Sequence, residues 1–186
     1  MRRGFRSPPP GLWRCGQREA EPKRCPSAPS SLARIRFVEK QIKAVDKQIE
    51  RELTAVSNPL LSVPGLGRVF TAGIIAEIGD ISRFATEAAL AKYAGLTWRR
   101  NQSSEFEGED RPLTKTGNHY LRYYLVEGAN SMRVHNAEYQ AYYQKKYREA
   151  TRHHHRRAVV LTARKLVRLV HALLRKNRLY KPRKGR

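Results

Sequence analysis

Acidic residues are scarce in this chain. Its 186 residues carry 38 Lys and Arg against 16 Asp and Glu, a formal net charge of +22. So large an excess repels itself in a compact state unless a polyanion neutralises it, which points to nucleic acid and to salt-dependent binding. The shortage is sharpest in residues 145–186, where 16 basic residues meet one acid, Glu149. Cysteine is nearly absent too. Cys15 and Cys25 both lie in an irregular N-terminal stretch and form no CxxC pair, so neither a zinc site nor a disulfide framework is expected. No run approaches the ~18 apolar residues of a membrane span, and residues 1–30 lack the apolar centre of a secretory signal. The compartment expected is the cytoplasm. No P-loop, Rossmann glycine signature or paired-carboxylate constellation occurs. Charge alone gives a partner class, one that a ribosomal or chromatin protein would share.

Periodicity divides the chain. Residues 1–30 are rich in Pro, Arg, Ser and Gly, without repeat, and read as a disordered segment. From Leu32 the pattern changes. Ile35, Val38, Ile42, Val45, Ile49 and Val56 fall on a 3-4 spacing with charges between them, a helix with a narrow apolar seam. This coiled-coil-like helix, within 31–58, ends near Asn58-Pro59. A dimer seam and a helix packed on its own domain are both open readings of it.

Residues 62–84 are the most informative stretch. Pro64-Gly65-Leu66-Gly67 stands just before an apolar run with helical spacing, Val69, Ala72, Gly73 and Ala76. Two glycines around one apolar residue allow a tight turn and leave amides unpaired at the positive end of a helix dipole, a site for a phosphate oxygen. The pattern is that of a helix–hairpin–helix at about 60–79, which grips nucleic-acid backbones without reading bases. An ordinary glycine turn between packed helices is the alternative.

A helix from about Thr86 to Tyr93, stopped by Gly95, comes next. Residues 96–117 then run without sustained helical periodicity, and long irregular segments inside a domain are usually functional. Asn118 caps a helix to about Val134, and Asn136 caps another to about Ala150. Seven of the nine tyrosines fall on these two helices, as half-buried packing residues or as stacking platforms for unpaired bases. The last helix, about 156–176, carries an apolar stripe of Val160, Val167, Val170 and Leu174, widened by Ala163, Leu166 and Leu173. Arg157, Arg164, Arg168, His171 and Arg175 line a separate face of this acid-free helix, which favours phosphate contact over mere solvation. His153-His154-His155 reads as a polar helix junction, because adjacent histidines diverge on any regular element. Lys181 to Arg186 form a basic tail. The fold class expected is all-α, about six helices around one long irregular loop with room for a short hairpin.

Several ordered pieces make the chain recognisable: Val63-Pro-Gly-Leu-Gly67, Glu77-Ile-Gly-Asp-Ile-Ser-Arg-Phe84, Leu90-Ala-Lys-Tyr-Ala-Gly-Leu96, Gln102-Ser103, Thr114-Lys-Thr-Gly-Asn118 with Leu121-Arg122, and Ala163-Arg-Lys-Leu166. With them residues 61–180 resemble the C-terminal domain of the transposases of insertion sequences 110, 116 and 902, and the domain is bounded at 59–180. The heptad helix resembles the coiled coil joining the two halves of those enzymes. The resemblance implies a recombinase that works as an oligomer with a structured guide RNA, in which an N-terminal RuvC-like domain carries four carboxylates and the C-terminal half supplies a serine nucleophile. Such a serine attacks a DNA phosphodiester and is later displaced by the hydroxyl of another strand, so the bond energy is conserved without a nucleoside triphosphate.

The family pattern places the serine after a Gln-like position and before a glycine. Ser103 matches that serine, and Ser104 occupies the usual glycine site as second candidate. Arg99, Arg100, Lys115 and Arg122 are the cations expected to hold the phosphate. Gly65, Gly67, Arg157, Arg164, Arg168 and Arg175 complete the nucleic-acid-binding set. No metal ligand is expected here: magnesium would come with RuvC-like carboxylates, which the sequence before residue 32 does not resemble. The chain is therefore expected to be a transposase fragment that binds DNA and cannot recombine it alone without a RuvC-like domain. The alternative is a non-catalytic helix–hairpin–helix module left from a truncated transposase.

Overall fold

A computed structural model describes residues 31–56, 58–98, 102–103, 106–107 and 113–182. The elements are almost all helical: α1 (Ser31–Ala55), α2 (Arg68–Ile78), α3 (Glu87–Tyr93), α4 (His119–His135), α5 (Ala137–Glu149) and α6 (His154–Lys176). The all-α expectation holds. A two-residue hairpin, β1 (Gln102–Ser103) with β2 (Phe106–Glu107), sits in the long loop as an antiparallel pair. Residues 1–30, expected to be a disordered segment, and residues 183–186 of the basic tail expected at 181–186 lie outside the described residues.

Leu32, Ile35, Val38, Ile42 and Val45 stay more than half exposed, and Leu53 is the buried residue of α1. Past its end the Asn58 side chain accepts a hydrogen bond from the Leu60 amide, with Pro59 in the first turn of a short 3₁₀ segment, Pro59–Ser62. Gln41–Arg186 form one compact unit.

The core of that unit is built on α4 and α6. Leu121, Leu125 and Met132 of α4 face Leu166, Val167 and Val170 of α6, all with no measurable exposure. Ile74 and Ile78 of α2 and Leu90 of α3 close the cluster from the sides. The apolar stripe read for α6 is the one buried, with Val160 and Leu174 only partly covered at its edges. Local signals set the ends. Asn118 Oδ1 accepts from the Leu121 amide (3.0 Å) and Asn136 Oδ1 from the Glu138 amide (3.0 Å), so each asparagine caps its helix as expected. Thr86 caps α3 through its hydroxyl, and Gly95, at φ +68°, follows its C-terminus. Asp80 caps a second 3₁₀ turn, Ile81–Arg83, by accepting from the Ser82 hydroxyl and amide. Those bonds hold its carboxyl below the usual range.

Candidate nucleic-acid interface

The hairpin before α2 is shorter than a pair of helices. Its first arm is the 3₁₀ turn at 59–62, and residues 63–67 turn the chain into α2. Gly65 has φ +88°, and a Cβ there would stand 2.8 Å from Met132 Cα, so this glycine serves the close approach of the hairpin to α4. Gly67 differs. It is the N-cap of α2, its backbone is ordinary (φ −68°), no side chain caps the helix there, and a Cβ would meet nothing within 4 Å. The exposed start of α2 thus presents amides to solvent. Arg68, the first residue of α2, pairs with Glu50 of α1 at 2.9 Å with both side chains largely exposed.

The long loop leaves the core through a clamped stem. Trp98 and Leu113 form an antiparallel bridge, and the Thr114 amide donates to the Thr97 carbonyl at 2.8 Å. The Thr97 and Thr114 hydroxyls also bond each other. Below the stem, the Asn118 amide donates to the Tyr93 carbonyl (2.7 Å), and its side chain donates to Glu77 of α2 (2.6 Å). Arg122, half-buried on α4, sends Nη1 to the carbonyls of Ala94 (3.3 Å) and Lys115 (3.0 Å). Gly95 lets that guanidinium in, since a Cβ there would lie 2.6 Å from Nη1. Arg122 is therefore a tether of the loop's two ends. Ser103 stands in β1 opposite Phe106. Ser104, Arg99 and Arg100 lie outside the described residues.

The basic face of α6 has internal partners. Arg164 Nη1 reaches the Glu87 carbonyl (3.5 Å), His171 Nε2 donates to the Phe84 carbonyl (3.0 Å), and Arg175 Nη1 donates to the Ala85 carbonyl (2.6 Å). Burial, with Arg168 nearby, lowers the pKa of Arg164 from its ordinary value. Each arginine keeps further donors, so the face both grips segment 84–87 and retains positive charge. Arg168 and Arg157 are exposed.

Lys115 and Arg157 both line one groove of about 1030 Å³. Its floor is apolar, with Trp98, Leu113, Val126 and Val160, and its rim adds Arg152 and Arg156. Sequence reasoning missed Trp98, Arg152 and Arg156. Their signals were a tryptophan at the mouth of the long loop and a basic run leading into an acid-free helix. The three histidines lie at the α5–α6 junction, as read: His154 Nδ1 donates to the Tyr147 carbonyl (2.9 Å), and His155 Nδ1 pairs with the Tyr143 hydroxyl (2.8 Å). Among the described residues no group of three or more His, Cys, Asp or Glu side chains is placed to hold a metal ion, and no helix is long and apolar enough to cross a membrane. Of the seven helix tyrosines, Tyr139 is buried with Lys165 over its ring, and its burial, with Glu138 nearby, raises its pKa well above the ordinary value, while Tyr120, Tyr123 and Tyr147 are exposed.

Residues 57–144 match the Transposase IS116/IS110/IS902 family model, a span that takes in the α2 hairpin, the clamped stem and the long loop. The insertion element IS110 uncharacterized 43.6 kDa protein of Streptomyces coelicolor is 29% identical over 158 residues, 83% of this chain and 38% of that protein. The insertion element IS116 uncharacterized 44.8 kDa protein of Streptomyces clavuligerus is 29% identical over 170 residues, 90% of this chain and 41% of its own length. A probable family 20 transposase of Pseudomonas aeruginosa is 32% identical over 105 residues, 54% of this chain and 28% of that protein. The chain spans about two-fifths or less of these relatives.

Proposed function

From a domain of the insertion-sequence transposase family at residues 57–144, we propose that this chain is the DNA-gripping, serine-bearing part of a transposase. The observation that carries the reading is the stem. Residues 93–98 and 113–122 are locked to each other by Asn118, Arg122 and the Trp98–Leu113 bridge. A loop held rigidly at its base is how a nucleophile is presented from a scaffold. Ser103 Oγ is the proposed nucleophile. It attacks a DNA phosphorus, forms a P–Oγ ester and releases one strand's hydroxyl, which takes up the proton; the hydroxyl of another strand later attacks that phosphorus and returns Oγ to serine. Lys115, with Arg99 and Arg100, is the proposed counter-charge to the pentacovalent phosphate. Arg157, Arg164, Arg168 and Arg175 with the Gly65–Gly67 hairpin are the proposed backbone contacts.

Divalent metal is assigned to RuvC-like carboxylates and not to residues of this chain. A structured guide RNA, oligomerisation through α1 and a cytoplasmic setting belong to the same proposal. A second reading, a binding module without chemistry, draws on the uncapped and exposed start of α2 at Gly67. Trapping separates the two. Full-length chain is mixed with labelled DNA from its element's ends and run on a denaturing gel. A covalent protein–DNA band that disappears in Ser103→Ala while native-gel binding persists supports the nucleophile. Loss of the band in Ser104→Ala alone moves the role to Ser104, and no band in any variant leaves the binding module.

A further inference from the structure

We propose that the groove beneath the loop stem holds an unpaired DNA strand, with one base stacked on Trp98 and the adjoining phosphates on Arg152, Arg156 and Arg157. The inference rests on the DNA-binding reading above and assigns it a strand form and a stacking residue.

The groove combines two surfaces that a duplex does not use together. Its floor is apolar, from Trp98, Leu113, Val126 and Val160, and its rim is cationic, from Lys115, from Arg152 between α5 and α6, and from Arg156 and Arg157 at the start of α6. A duplex turns phosphates outward and hides its base faces, so it would satisfy the rim and leave the floor wet. An unpaired strand offers both a chain of phosphates and exposed π-faces, which is the demand met by basic grooves with aromatic platforms. The volume, about 1030 Å³, exceeds what a single bound nucleotide requires and suits a short strand.

Trp98 is placed for this use. It remains 37% exposed, although it is among the largest apolar side chains in the molecule. Its backbone is pinned by the bridge to Leu113 and, one residue earlier, by the Thr97–Thr114 contacts. The ring is therefore offered on a fixed stem, and little chain entropy is lost when a base settles on it. On the α4 wall stands Glu127, the acid of the lining. A carboxylate repels phosphate but accepts from the exocyclic amine of a base, so it suits the base side of a strand. The loop that leaves through Trp98 and returns through Leu113 carries Ser103 in its sequence, so the groove and the proposed nucleophile share one stem.

The test uses the full chain with Trp13→Phe, leaving Trp98 as its tryptophan. Oligothymidylate should quench the Trp98 emission. In anisotropy titrations Trp98→Ala should weaken oligothymidylate binding about tenfold, leave binding of a duplex of equal length unchanged, and be largely rescued by Trp98→Phe. Equal weakening of strand and duplex, or no change in either, overturns the groove assignment while duplex binding still stands. Tighter binding of oligouridylate than of oligothymidylate overturns DNA as the occupant. Absence of any strand or duplex binding at low salt overturns this inference together with the reading it rests on.

Discussion

Single residues separate the work of folding from the work of binding. The two glycines of the hairpin look equivalent in the sequence, and both were assigned to phosphate. Gly65 is demanded by the fold: its positive φ and the approach of Met132 Cα leave no room for a side chain. Gly67 is not, because its backbone suits any residue and its surroundings are open. Gly65→Ala should therefore cost roughly 1–3 kcal/mol of stability from backbone strain and overpacking, read as a lower urea midpoint. Gly67→Ala should change stability by less than about 1 kcal/mol yet lower DNA affinity severalfold, because the added methyl stands where a backbone phosphate would approach the α2 amides. Unchanged affinity in Gly67→Ala would remove the hairpin from the interface. Arg122 teaches the same distinction, since a cation expected on a phosphate is committed to the carbonyls of Ala94 and Lys115.

Elements were legible where their signals are local. Asn118, Asn136 and Gly95 fixed ends of α3, α4 and α5 because a cap acts within three or four residues of itself. The first arm of the hairpin was over-read as a helix: only a few residues separate Asn58 from Gly65, and Pro59 opens a turn that closes as 3₁₀. The partners of the α6 basic face were not legible at all. Arg164, His171 and Arg175 bond carbonyls at Glu87, Phe84 and Ala85, between 77 and 90 residues away, and backbone acceptors leave no mark in sequence. The groove was hidden for a related reason, being assembled from the loop stem, α4 and the start of α6. α1 carries the test of the proposed oligomerisation. Leu32, Ile35, Val38, Ile42 and Val45 remain more than half exposed on one 3-4 seam, and a lone helix with that seam in water is marginal. Pairing with a second copy would cover it. Val38→Asp with Val45→Asp should convert the chain from a dimer or larger species to a monomer in sedimentation velocity, without altering the helical packing of Gln41–Arg186. A wild-type chain that sediments as a monomer at micromolar concentration would refute the seam.

At the scale of the whole molecule, charge decides more than any contact. A net +22 on 186 residues is a cost to the isolated fold that a polyanion removes. The excess is concentrated from Lys145 onward, so the surface built by α6 and the groove rim should dominate the field that the proposed DNA partner would meet. Part of this charge is already engaged: Lys165 bonds Glu138 at 2.8 Å, and Lys146 bonds Glu149 at 2.5 Å. Exposed cations such as Arg156 and Arg168 can release counterions when they meet phosphate. If the chain covers roughly 6–10 phosphates, affinity for duplex should fall by about 10³–10⁵ between 50 and 200 mM salt, as a straight line on logarithmic axes. Arg156→Gln and Arg168→Gln should each lower the magnitude of that slope by about 1, nearly independently of DNA sequence, because a phosphate contact carries charge and no base information. Arg175→Gln should change the slope less and the unfolding midpoint more, since its guanidinium already donates to Ala85. Anisotropy titrations at four or five salt concentrations, set beside urea melts of the same variants, measure both. An Arg156 or Arg168 variant that loses stability and keeps its slope would place that arginine with the structural set, and a shallow slope in the unmodified chain would mean that its charge serves some partner other than DNA.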